Sequence, residues 1–115
     1  MEEIKECLFC AIASGRVKAD IVYRDDETLA FRDVDPKAPD HVLIIPLKHI
    51  ASVSAMSDED APLMGKIINT ARKVALELSL ENYRLVINNG KDAGQSVFHV
   101  HAHLLGGRLF GWPPG

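Results

Sequence analysis

Gly94-Gln95-Ser96-Val97-Phe98-His99-Val100-His101-Ala102-His103-Leu104-Leu105 combines a turn, a strand pattern and three ionisable side chains in one short stretch. From Val97 to Leu105 the alternation has period two. Val97, His99, His101, His103 and Leu105 therefore share one face of an expected strand, and Phe98, Val100, Ala102 and Leu104 share the other. Successive histidines stand about 6.6 Å apart on such a line. Two plain readings are a half-exposed strand with a histidine-rich polar face and a three-histidine metal site. The preceding loop, Asn88 to Ser96, sets glycines, amides and a hydroxyl next to the histidines, not a carboxylate ligand. Such a loop can turn backbone N–H groups toward an anion. Neutral imidazole beside a phosphate cradle points to nucleophilic attack on phosphorus.

Working outward, Leu8 to Ser14 reads as a short helix stopped by Gly15. Ile21–Arg24 and Thr28–Asp33 read as a hairpin across Asp25-Asp26-Glu27. His41-Val42-Leu43-Ile44-Ile45-Pro46 has the β-branched run of a central strand ended by proline. Ser57-Asp58-Glu59-Asp60 opens the main helix, which begins between Asp58 and Ala61 with Pro62 in its first turn and runs to about Leu80. Leu63, Ile67, Ala71, Val74, Ala75 and Leu78 recur at helical spacing, as a core helix requires. Tyr83–Ile87 is the fourth strand and the histidine stretch the fifth. The expected fold is α+β: one domain over residues 1–115, with a five-stranded antiparallel sheet, one long helix and a short N-terminal helix. Phe98, Val100, Ala102 and Leu104 should lie beneath the long helix.

Composition narrows the function. The chain has 115 residues, 47% hydrophobic and 25% charged, which fits one modest core. A formal charge of −3 argues against a basic surface that grips nucleic acid. No apolar run approaches a membrane span, and the acidic Met1-Glu2-Glu3 lacks the basic region of a signal peptide, so a cytoplasmic location is expected.

Several side chains admit more than one reading. Cys7 and Cys10 form a Cys-x-x-Cys pair: half a zinc site, a redox pair, or two buried core residues. Further zinc ligands would come from His41, His49 or the three clustered histidines. Phe31 and Asp33 lie on one face of their strand, an aromatic and a carboxylate suited to a base and a ribose, although Asp33 also suits a turn before Val34-Asp35-Pro36. His41 enters the sheet as a strand-end histidine or a partner of the other histidines, and His49 reads as a loop residue.

The run His99-Val100-His101-Ala102-His103-Leu104-Leu105 resembles the signature of the histidine-triad (HIT) superfamily. Ala30-Phe31-Arg32-Asp33-Val34, His41 to Pro46, Gly94-Gln95-Ser96-Val97 and the ending Gly106-Gly107-Arg108 through Trp112-Pro113-Pro114-Gly115 extend the likeness over nearly the whole chain, and the ending looks like the Hint branch. The resemblance implies a homodimer that binds purine nucleotides and cleaves the P–N bond of nucleoside phosphoramidates, such as AMP linked to lysine or another amine, or of aminoacyl-adenylates. Two alternatives stand beside it: a non-catalytic nucleotide sensor or scaffold, and a dinucleoside polyphosphate hydrolase of the same superfamily.

By that resemblance His101 is the nucleophile, His103 a phosphate and leaving-group contact, His99 an orienting residue, and His41 a proton relay behind the nucleophile. Ser96 is a donor to the leaving group. Phe9, Phe31 and Val34 would wall the base, Asp33 would accept the ribose hydroxyls, and Asn88, Gly94 and Gln95 would contact the phosphate side. No cofactor is implied for the chemistry. In zinc-binding relatives the cysteine pair joins equivalents of His49 and His99, which implies a structural zinc on Cys7, Cys10, His49 and His99. Trp112 is expected to pack across a two-fold interface near the partner's active site, where it would help select the leaving amine. That interface would use the long helix and the Tyr83–Ile87 strand.

Overall fold

The computed structural model describes residues 7–115; the acidic start Met1-Glu2-Glu3 lies outside them. Its main elements are α1 (Leu8–Ala13), β1 (Ile21–Arg24), β2 (Thr28–Arg32), β3 (Asp40–Pro46), α2 (Ala61–Glu77), β4 (Tyr83–Val86) and β5 (Ala102–Gly106). The strands form one antiparallel sheet in the order β1-β2-β3-β5-β4. This is the expected α+β architecture. Among the described residues, no helix is long and apolar enough to cross a membrane.

The β1–β2 hairpin closes on Asp25, whose Oδ1 accepts from the backbone N–H groups of Glu27 and Thr28. The central strand β3 is buried on both faces, as its β-branched run requires. On one face Ala30, Val42, Ile44, Ala102 and Leu104 meet Ile67, Ala71, Val74 and Ala75 of α2. On the other, Leu29, Phe31, Leu43 and Ile45 meet Phe9 and Ile12 of α1. The long helix covers one face only; the short helix α1 supplies a partial cover for the other, and this creates the pocket described below.

α2 starts as expected, with the Asp60 carboxylate accepting the Ser57 N–H at 3.0 Å and Pro62 in the first turn. It ends earlier than its apolar spacing implied. Ser79 adopts φ 59°, its N–H bonds to the Leu76 carbonyl, and the Leu80 N–H reaches back to Ala75. This is a Schellman closure with serine where glycine is usual. The left-handed backbone costs an L-residue about 1 kcal/mol. Ser79→Gly should therefore stabilise the fold by about 0.5–1 kcal/mol, visible as a higher midpoint in thermal denaturation.

The fifth strand departs from the sequence reading. Pairing of β3 with β5 ends at Ile44↔Ala102, so continuing the register sets Val100 opposite Pro46, which has no N–H to donate. The Val100 N–H turns instead to the Ile50 carbonyl at 2.6 Å. The stretch from Val97 to His101 thus leaves the ladder. Val100, Ala102 and Leu104 are buried as expected, but Phe98 is half exposed and lies outside the core under α2. His99, placed by periodicity on a polar face, is fully buried.

Candidate active site

Hydrogen-bond partners assign the proton positions on His101, His41 and His103. Nδ1 of His101 lies 2.8 Å from the His99 carbonyl, which only accepts, so Nδ1 carries the proton and Nε2 keeps its lone pair. Lys37 donates its backbone N–H to Nδ1 of His41 at 3.0 Å, which puts the His41 proton on Nε2. That Nε2 faces Nδ1 of His103 at 2.9 Å and the Asp33 carboxylate at 3.4 Å. The nearer partner is His103, which accepts at Nδ1 and retains Nε2–H as a donor. His103 then meets the His101 ring at a centroid distance of 4.9 Å. His41 therefore stands behind His103, one ring further from His101 than the resemblance implied.

Burial keeps these rings neutral. It lowers the pKa of His41 and His101 below the usual 6.5, although the Asp33 carboxylate opposes it at both. His103 is pushed down to about 4 by burial first, then by His101 and His41. The array thus offers one unprotonated nitrogen, on His101, beside one N–H donor, on His103.

Both rings open into a cavity of about 310 Å³. Phe9, Phe31, Asp33, Val34 and Ser96 also line it. Phe9 meets Phe31 edge-on at 5.3 Å and His101 at 5.0 Å. Asp33 combines the two readings of its sequence: Oδ1 accepts the Asp35 N–H at 2.8 Å to close a turn, and the same carboxylate faces the cavity. Asn88, Gly94 and Gln95 lie outside that lining. Gln95 is buried with its amide spent on the loop, accepting from Gly90 and donating to the carbonyls of Ala51 and Val97. Sequence reasoning missed Leu8, Ile12, Val17, Lys18, Ala19, Arg32, Leu43 and Val97 in the wall. The helical face of Ile12 was a usable signal; the loop Val17–Ala19 carried none.

The four sulfur and nitrogen groups of Cys7, Cys10, His49 and His99 converge. Nδ1 of His49 lies 3.5 Å from Cys7 Sγ and 3.2 Å from Cys10 Sγ; Nδ1 of His99 lies 3.3 and 3.5 Å from the same atoms and 3.3 Å from His49. A tetrahedron with Zn–N of about 2.0–2.1 Å and Zn–S of about 2.3 Å has edges of about 3.3–3.6 Å between these atoms. The observed spacings fit it. Nε2 of His99 faces the Pro46 carbonyl at 2.8 Å, so its proton sits there and Nδ1 is free to ligate. Burial, then Cys7, pushes the Cys10 thiol up to about 11, a cost that a bound cation would reverse. Asp33, His41 and His103 also lie close together. They fit a metal poorly, because ligation through His41 Nε2 would force a proton onto Nδ1, where Lys37 already donates.

A family model described as HIT domain matches residues 14–109. The chain belongs to the HIT domain family. HIT proteins bind nucleotides. Among similar proteins, an uncharacterized HIT-like protein of Synechocystis sp. is 49% identical over 96% of this chain and 98% of its own. A HIT family hydrolase from Legionella pneumophila is 50% identical, with a TM-score of 0.91 over 96% of this HIT chain and all of that one. A Zn-bound histidine triad family protein from Mycobacterium smegmatis is 32% identical, with a TM-score of 0.77 over 95% and 79% of the two chains.

Proposed function

We propose that this HIT protein is a hydrolase of the Hint type, which cleaves the P–N bond of purine nucleoside 5′-phosphoramidates through a nucleotidyl intermediate on His101. The observation that carries the reading is the pair of rings at the cavity: a lone pair on His101 Nε2 beside a proton on His103 Nε2. The base would lie against Phe9, Phe31 and Val34, with the ribose hydroxyls on Asp33. His101 Nε2 attacks phosphorus as the P–N bond breaks. The departing amine takes a proton from His103, which His41 backs through Nε2–H, and Ser96 supplies a hydroxyl to the same region. Water then attacks phosphorus and breaks the P–Nε2 bond, returning a proton to His103 and releasing the nucleoside monophosphate. Aminoacyl-adenylates would follow the same course.

We further assign a structural zinc to Cys7, Cys10, His49 and His99. With no open coordination position such a metal holds the fold and takes no part in the chemistry. The Legionella hydrolase supports the class of reaction, and the zinc-bound mycobacterial protein supports the metal.

Conversion of adenosine 5′-phosphoramidate to AMP by the pure protein tests the reading. Tight AMP binding with no turnover of any phosphoramidate would make it a sensor instead; turnover of diadenosine polyphosphates alone would move it to the other hydrolase branch.

We also propose a homodimer through α2 and the edge strand β4. Trp112 is 84% exposed and Leu76 of α2 is 73% exposed, so both are available to a second copy. Truncation after Arg108 should alter leaving-group preference and weaken the dimer, read by turnover of two different amine substrates and by solution mass. An unchanged result in both would leave the tail without this role.

A further inference from the structure

Three charged side chains line the cavity: Lys18, Arg32 and Asp33. Arg32 is paired, at 3.3 Å with Asp40 and 3.9 Å with Asp20. Asp33 accepts the Asp35 N–H and faces His41. Lys18 is different: among the described residues it has no hydrogen bond or ion pair. It enters the wall from the loop between α1 and β1, with Val17 and Ala19, whereas Ser96, His101 and His103 enter from the stretch leading into β5 and from β5 itself. Phe9, Phe31 and Leu43 add apolar surface to the same wall.

We propose that Lys18 reads the six-position edge of the bound purine, so that the protein prefers 6-oxopurine nucleotides to adenine nucleotides. This deepens the nucleotide reading above and rests on it. With the phosphate at His101, His103 and Ser96 and the ribose at Asp33, the base is left to the apolar part of the cavity and to Lys18. An ammonium has three donors and no acceptor. Guanine and hypoxanthine present O6 and N7 to it, both acceptors. Adenine presents N7 but sets its N6 amino group, a donor, where O6 would be. The cation is therefore matched by one class of purine edge and half opposed by the other. An apolar wall supplies no competing acceptor, and shape alone separates these bases poorly.

Affinities for GMP, IMP and AMP, measured calorimetrically on wild type, Lys18→Met and Lys18→Arg, test this. Wild type should bind GMP and IMP about tenfold more tightly than AMP. Lys18→Met should abolish the difference among the three, with GMP and IMP losing far more affinity than AMP. Lys18→Arg should keep the preference, since a guanidinium reaches the same two acceptors. The exposed position of Lys18 makes both variants compatible with folding. Equal binding of the three nucleotides by wild type, tighter binding of AMP, IMP behaving as AMP, or a preference that survives Lys18→Met would each overturn the inference. So would an equal loss for all three in Lys18→Met, which would place the ammonium on phosphate. No saturable binding of any nucleotide by wild type would instead overturn the nucleotide reading beneath it.

Discussion

Turnover of adenosine 5′-phosphoramidate is expected to fall by at least about a thousandfold in His101→Ala, with AMP affinity largely retained. The loss is large because no other unprotonated nitrogen in the array faces the cavity: the His41 lone pair accepts from Lys37, that of His99 faces Cys7 and Cys10, and His103 is left with an N–H. Trapping a nucleotidylated imidazole in the wild type and not in the variant would complete the case. Near wild-type hydrolysis by His101→Ala would exclude the covalent route. The same geometry sets the pH profile. Attack needs His101 unprotonated, and burial lowers its pKa below 6.5. The rate should therefore hold as pH falls from 7 to 6.5 and decline only in more acidic solution. An acid limb centred above 6.5 in kcat/KM would contradict burial as the controlling influence.

Protein purified without added metal should contain one zinc per chain, and Cys10→Ser should remove it. The four ligands come from α1, the loop after β3 and the stretch leading into β5, so the metal would cross-link distant parts of the chain. Its loss should cost about 3 kcal/mol or more, a fall in Tm on the order of 10 °C or greater. A chelator should bring wild type down to the midpoint of Cys10→Ser and leave that variant unmoved. If Cys10→Ser keeps its zinc, or the wild type carries none and its thiols titrate freely, the cysteines are core residues only.

Much of the sheet was legible because side-chain alternation and the β-branched run at Val42–Ile45 are local signals. The shared face of Phe31 and Asp33 was legible too, but it was the likeness to the histidine-triad signature that joined them to the histidines. The failures were long-range. Nothing near Val100 reveals that its N–H will find Ile50, or that Pro46 will stand opposite and end the ladder. Gln95 has the composition of a phosphate loop, but three backbone groups from separate turns consume its amide. His99 looked like a member of a solvent-facing row; its burial follows from cysteines about ninety residues away in sequence. Lys18 lies in a loop, where no periodicity exists to show which side chains turn inward.

Phe9 stands in the chain between Cys7 and Cys10, and its ring borders both Phe31 and His101. Part of the wall of the cavity and the thiols of the proposed zinc site thus belong to one six-residue helix and its cap. Where the binding of two ligands is coupled through a shared element, the coupling is reciprocal. If metal occupancy tightens nucleotide binding by some factor, nucleotide must tighten metal binding by the same factor. On the proposed reading, zinc and nucleotide would then be mutual effectors, with α1 as the element they share.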